Sequence, residues 1–201
     1  MKIPKIDWKK NSGLVPAIVQ DAATLQVLML GYMDAAALKR TLRTKKVTFF
    51  SRSKQRLWVK GETSGNFLHL VSVAVDCDND TLLITARPDG PACHRGTPSC
   101  FGDGGAGGVG FLAQLERTIN ARIKSGDKQS YTVRLAKEGV ARVAQKVGEE
   151  GVETALAALH AGNKEFAGEA ADLLYHLIVL LRVRKLSLAD ALAVLEKRHG
   201  K

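Results

Sequence analysis

The sequence predicts two folded parts of different class: an α+β N-terminal domain, mainly antiparallel β, joined by a glycine-rich linker to an all-α C-terminal domain. Three observations predict this. Residues 102–110 hold six glycines in nine positions, a composition that supports neither helix nor strand. Before that stretch, apolar and β-branched residues come in short runs between turn residues. After it they recur at steps of three and four. The boundaries that follow are 1–103 for the first domain, 104–110 for the linker and 111–201 for the second domain.

In chain order, the β-favouring runs are Leu14 to Val19, Leu25 to Leu30, Val47 to Ser51, Leu68 to Val75 and Leu82 to Ala86. One helix interrupts them, capped by Asp34 and carrying Ala35 to Arg40. The glycine run could instead cradle a phosphate, but no Gly-Lys-Ser/Thr follows it and no apolar strand leads in. Beyond it, Phe111, Leu112, Leu115, Ile119 and Ile123 fall on one helical face, as do Val140, Val143 and Val147. The segment Leu173 to Leu181 is almost wholly apolar and belongs in a helical core.

With 201 residues and 45% hydrophobic content, the chain can bury one large core or two modest ones. No apolar run reaches the length of a membrane span, and Met1-Lys2-Ile3-Pro4 leads into polar sequence rather than a signal peptide, so a cytoplasmic protein is expected. The net charge is +10. The first 103 residues hold 15 basic and 9 acidic side chains, giving +6, and the remainder holds 15 and 11, giving +4. These cations are scattered, and only 5% of residues are aromatic, so an anionic small substrate suits the charge as well as nucleic acid does.

All three cysteines, Cys77, Cys93 and Cys100, fall within 24 residues. An odd number of thiols without a secretory leader argues against a disulfide framework. Three thiolates can hold zinc and leave its fourth position open for water. Cys77 lies inside Asp76-Cys77-Asp78-Asn79-Asp80, where carboxylates at alternate positions suit a harder ion such as magnesium.

The second half carries Lys146-Val147-Gly148-Glu149-Glu150-Gly151-Val152-Glu153, followed by Glu169 and Asp172 ahead of an apolar stretch. Helical spacing brings Glu149, Glu150 and Glu153 toward one face, where like charges repel unless a cation compensates. Each acidic pair alone could be a solvated face. Together the five carboxylates suit Mg²⁺ and the phosphates that it bridges.

Several motifs now carry a resemblance. Gly31-Tyr32-Met33, Ser51-Arg52-Ser53, the stretch Leu57 to Asn66, the Asp76 to Asp80 loop, and Cys93-His94-Arg95-Gly96 through Ser99-Cys100-Phe101 resemble phosphoribosyl-AMP cyclohydrolase. The Glu149 and Glu169 motifs resemble phosphoribosyl-ATP pyrophosphatase, a relative of MazG-type helical nucleotide pyrophosphohydrolases. Their fusion in this order is similar to the bifunctional enzymes of histidine biosynthesis.

The resemblance implies zinc on Cys77, Cys93 and Cys100, and magnesium on Asp76, Asp78 and Asp80. A zinc-held water would attack C6 of the purine and open the N1–C6 bond. His94 is the candidate for moving the proton, with orientation of the site as its other possible role. Arg52, Lys60 and the segment Glu62-Thr63-Ser64-Gly65-Asn66 suit phosphate groups of the substrate, while Ser51 and Ser53 equally suit a polar strand edge. Trp58 either stacks on the purine or belongs to the core, and His69 reads as a packed residue.

For the helical half, the resemblance implies hydrolysis of phosphoribosyl-ATP to phosphoribosyl-AMP and pyrophosphate, with magnesium on Glu149, Glu150, Glu153, Glu169 and Asp172. Glu150 is the candidate catalytic carboxylate, and Lys146 either contacts phosphate or balances the acidic face. The resemblance also implies a homodimer formed through the first domain, whose sites draw residues from both chains. Two other classes fit less well. A zinc nucleobase deaminase needs His-x-Glu with Pro-Cys-x-x-Cys, and neither occurs here. A nucleic-acid binding module gives no reason for clustered carboxylates that repel phosphates.

Overall fold

The computed structural model describes residues 5–10, 12–102 and 107–200. The chain divides into two compact units, Met1–Phe111 and Leu112–Lys201. Of the predicted linker, residues 104–106 lie outside the described residues, and its last residue, Gly110, opens a helix.

Among its described residues, the first unit is built on six strands and a helix: β1 Val15–Asp21, β2 Val27–Met33, α1 Ala35–Thr44, β3 Thr48–Ser51, β4 Arg56–Val59, β5 Leu68–Val75 and β6 Leu82–Pro88. Four strands form a sheet in the order β2-β1-β6-β5, and β3 pairs with β4 as a separate hairpin. The expectation of antiparallel pairing needs correction at one place. β1 runs parallel to β6, with Ala17 opposite Leu82 and Val19 opposite Ile84, so the sheet is mixed. Alternation of apolar residues fixes which face of a strand is buried but not the direction of its neighbour.

That alternation does build the core. Val15, Ala17 and Val19 from β1 meet Leu82, Ile84 and Ala86 from β6, all at 0% exposure, and Phe49 of β3 closes over them. Gly31 is required beneath that ring, because a Cβ there would lie 2.5 Å from Phe49 Cε1. The helix α1 starts where Asp34 accepts a hydrogen bond from the Ala37 amide at 2.6 Å. It ends at Lys45, which takes a left-handed φ of 58° and returns its amide to Thr41 O. The amide of buried Thr48 donates to Thr41 Oγ1 at 2.9 Å, so these polar atoms enter the core paired.

The second unit is helical: α2 Gly110–Ser125, α3 Tyr131–Lys137, α4 Val140–His160, α5 Asn163–Val183 and α6 Leu188–His199. Ile119, Leu135, Val143, Ile178 and Val179 form its core. α4 and α5 form a hairpin through Ala161 and Gly162, which sets two 21-residue helices side by side. α6 begins with a reciprocal cap between Ser187 and Asp190, and its first amide, at Leu188, donates to Glu116 Oε1 of α2 at 2.7 Å. No described helix is long and apolar enough to cross a membrane.

Candidate active sites

In the first unit, the β3–β4 hairpin and the loop after β6 enclose a cleft of about 590 Å³. Trp58, Lys60, Glu62, Thr63 and Ser64 line one side, and Cys93, His94 and Cys100 line the other. Trp58 lines the cleft while its ring packs 5.1 Å from that of Phe49 at the edge of the core. Gly61 turns the chain at the rim with φ of 95°, and a Cβ there would fall 2.5 Å from Asn66 O. Glu62 is held in the rim by Arg56 at 2.9 Å and by the Val59 amide at 3.0 Å.

Arg52 does not reach the cleft. Its guanidinium lies 3.8 Å from the centre of the Tyr32 ring, while Lys54 and Arg56, two and four residues on, are the cations among the lining residues beside Lys60. His69, expected as a packed residue, instead holds Asp89 Oδ2 at 2.7 Å. Ser51 lines the cleft and its Oγ lies 3.4 Å from that of Ser53.

Cys93 and Cys100 line the same cleft, close enough for each thiol to influence the other's titration. The Arg95 amide and the Thr97 hydroxyl hold the Cys93 thiol below its ordinary pKa, whereas burial pushes that of Cys100 up. His94 Nδ1 lies 4.0 Å from Cys93 Sγ. Lys60 faces the same two sulfurs, and burial lowers its pKa. Cys77 is exposed on the Asp76 to Asp80 loop.

That loop brings Asp76, Asp78 and Asp80 together, with one oxygen of each within 4.8 Å of the others. Asp76 Oδ1 accepts from the Asp80 and Thr81 amides at 2.9 Å each, which folds the loop and lowers the carboxyl's pKa. Lys10 supplies a positive charge to this group, touching Asp78 and lying 2.8 Å from Asp80.

In the second unit, Glu150, Glu169 and Asp172 form the other such carboxylate group. Among the described residues, neither group contains a cysteine. Glu150 is only 5% exposed. It sits on the seam of α4 that faces α5, in register with Val143, Val147 and Ala157 at alternating steps of four, three and seven. Glu169 and Asp172 lie on the matching seam of α5, followed by His176 and Val179. That register is the signal by which the sequence could have singled out Glu150 from its neighbours. Glu149 turns elsewhere, toward Gln145 at 2.8 Å and Arg142 at 3.6 Å. Glu153 is exposed and lines a hollow of about 350 Å³ with Glu169, Leu156 and His160.

The charges explain the local titration. Lys146 Nζ lies 2.8 Å from both Glu149 and Glu150 and holds their carboxyls below the ordinary range. Desolvation, then repulsion from Glu153, Glu150 and Asp172, pushes the Glu169 carboxyl up. A divalent cation would relieve that repulsion.

Residues 29–102 match the family described as phosphoribosyl-AMP cyclohydrolase, and residues 112–199 match phosphoribosyl-ATP pyrophosphohydrolase. The chain is 58% identical over 197 residues to the histidine biosynthesis bifunctional protein HisIE of Xylella fastidiosa, covering 98% of this chain and 94% of the relative. It is 56% identical over 195 residues to HisIE of Escherichia coli, covering 97% and 96%. The chain belongs to the HisIE family. It is therefore a bifunctional enzyme of histidine biosynthesis, with a phosphoribosyl-AMP cyclohydrolase domain and a phosphoribosyl-ATP pyrophosphohydrolase domain. The thiol-lined cleft falls within the first HisIE domain, and the Glu150 group within the second.

Proposed function

We propose that the helical unit hydrolyses phosphoribosyl-ATP with Mg²⁺, releasing pyrophosphate, and that the cleft then opens the N1–C6 bond of phosphoribosyl-AMP with Zn²⁺. The observation that carries this reading is the Glu150, Glu169 and Asp172 group, in which a buried carboxylate paired with Lys146 lies within 4.8 Å of two further carboxylates. Such a donor set fits an oxygen-seeking divalent ion. The paired Cys93 and Cys100 thiols, one already biased toward thiolate, fit zinc.

Bound magnesium supplies charge neutralisation for the phosphates, and bound zinc supplies Lewis acidity that lets water react near neutral pH. The side chains do the rest. Glu150, Glu169 and Asp172 would hold the magnesium, with Glu153 at the rim of the neighbouring hollow and Glu149 balancing Lys146. Glu150 is buried and oriented, which suits it to position the attacking water. In the cleft, His94 would carry a proton between water and the purine nitrogen. Trp58 offers the purine a flat apolar wall, and Lys54, Lys60, Thr63 and Ser64 offer the phosphates charge and hydroxyl donors. Asp76, Asp78 and Asp80 would hold a second magnesium, at the position that Lys10 occupies with its own positive charge.

We further propose a cytoplasmic homodimer with the zinc set completed between copies: Cys93 and Cys100 from one chain, and the exposed Cys77 from the other. The outward sheet face carrying Leu30 and Leu83, each more than a third exposed, supports an interface on the first unit. Val152, Leu156 and Leu159 form an exposed apolar stripe on α4, which supports a second interface in a MazG-like arrangement. Residues 104–109 would tether the two units.

Assays of the purified protein with phosphoribosyl-ATP test the reading. Removing magnesium should stop pyrophosphate release, whereas a zinc-selective chelator should leave that step intact and stop ring opening. Mixing inactive Cys77→Ala and Cys93→Ala proteins should restore part of the ring-opening rate. No restoration after subunit exchange would remove the shared zinc site.

A further inference from the structure

His176 is 5% exposed on the seam of α5, and no step above uses it. Its Nδ1 lies 2.9 Å from the carbonyl oxygen of Asp172. A carbonyl only accepts, so Nδ1 carries the hydrogen. The same edge of the ring faces Glu150 Oε1 at 3.5 Å, across from Lys146 Nζ at 2.8 Å. The other nitrogen, Nε2, lies 3.1 Å from the Tyr131 hydroxyl, which donates to it when the ring is neutral. The next residue pair repeats the link, with Thr132 Oγ1 2.8 Å from the Tyr175 hydroxyl, so the start of α3 is pinned to α5 beside the acidic group.

From this geometry we infer that His176 is a positioning residue for the pyrophosphohydrolase site: its Nδ1–H is anchored on the Asp172 carbonyl, which sets the ring edge against Glu150 Oε1, and Tyr131 holds the ring in the tautomer that makes this possible. The inference rests on the reading that Glu150, Glu169 and Asp172 bind a divalent cation. Glu150 has a buried side chain with several rotamers, and one lysine fixes only one side of it. The imidazole edge, held by the Asp172 carbonyl and the Tyr131 hydroxyl, confines the same Oε1 from α5. Partners that orient metal-binding carboxylates in this way commonly account for about 10- to 100-fold in metal affinity.

Two isosteres separate orientation from packing. Asparagine places an amide N–H where Nδ1 stands, and glutamine places one where Nε2 stands. The test titrates Mn²⁺, followed by electron paramagnetic resonance, into full-length protein carrying Asp78→Asn and Asp80→Asn to silence the other acidic group. His176→Gln should weaken Mn²⁺ binding about tenfold or more, while His176→Asn should stay within about threefold of the unmodified residue. Glu169→Gln should remove the binding. If Glu169→Gln has no effect, the metal reading fails and this inference falls with it. If Glu169→Gln removes binding but the glutamine and asparagine variants behave alike, only the role of His176 is overturned. Long-range ¹H–¹⁵N spectra of the unmodified protein give a readout independent of variant folding. They should show the hydrogen on Nδ1 of His176, and a hydrogen on Nε2 alone would refute the inference.

Discussion

The Lys10 ammonium lies 2.8 Å from the Asp80 carboxylate and also touches Asp78, so a side chain from before β1 occupies the ground where a second cation is proposed to bind. The two carboxylates, Asp78 first, raise the pKa of that lysine, which keeps it charged at any physiological pH. A bound ion must displace it. Lys10→Met should therefore tighten Mg²⁺ binding at the aspartate loop by about two- to fivefold, the range of an exposed charge pair. Isothermal titration of the full-length protein measures this, and weaker binding in the variant would show that Lys10 does not compete.

Cys93→Ala and Glu150→Gln should separate the two activities. The first variant should lose ring opening and retain pyrophosphate release, and the second should do the reverse, with losses of about 100-fold or more. A folded variant that loses both activities would contradict two independent sites.

Acid should reveal the Lys146–Glu150 pair. The hydrogen bond from Lys146 holds the Glu150 carboxyl below its ordinary value of 4.5. A depressed carboxyl contributes its full stability above the unfolded value and loses it as pH falls through the lower folded value. The stability gap between the unmodified protein and Lys146→Met should thus be largest at neutral pH and close below 4.5. Urea denaturation at a series of pH values reads this gap, and a gap independent of pH would exclude the pair as its source.

Gly61→Ala should distort the cleft. The position combines φ of 95° with backbone atoms of Asn66 2.5 Å from a new Cβ, so the rim must move. We expect a higher KM for phosphoribosyl-AMP, with pyrophosphate release unchanged and stability lowered by about 1–3 kcal/mol. An unchanged KM would show that the rim does not touch substrate.

The cleft's cations should be separable in the same assay. Lys54→Met should raise the KM for phosphoribosyl-AMP about tenfold, the loss of one charged hydrogen bond, whereas Arg52→Met should leave it near the unmodified value because Arg52 stacks on Tyr32. Equal effects would reverse the assignment.

Much of this organisation was legible in the residues. The runs at Leu68 to Val75 and Leu82 to Ala86 became β5 and β6 nearly as bounded, and Asp34 caps α1 as its residue type dictates. The parallel β1–β6 pairing was not legible, because a period of two carries no information about a partner 60-odd residues away. α3, at seven residues, is too short to establish a helical period, and α6, which opens on the Ser187 and Asp190 cap, was not singled out from the sequence. In the sites, residue types marked the candidate ligands but not their grouping. Glu149 and Glu150 are adjacent in sequence, and only the packing of α4 on α5 decides that Glu150 enters the seam. Likewise Arg52, Lys54 and Arg56 alternate along one hairpin, and the four-residue turn between β3 and β4 determines which of them reach the cleft.

The placement of β1 between β2 and β6 bears on how the chain is made. A ribosome releases β1 and β2 early, but the centre of the sheet stays open until Pro88 has emerged, since β6 must slot in alongside the first strand. Pairings between such distant segments are slow to form and leave apolar edges bare meanwhile. Nascent chains cut short before β6 should therefore be sticky and protease-sensitive rather than partly native, and the cysteine-bearing loops downstream can acquire their shape only after that late strand locks the sheet.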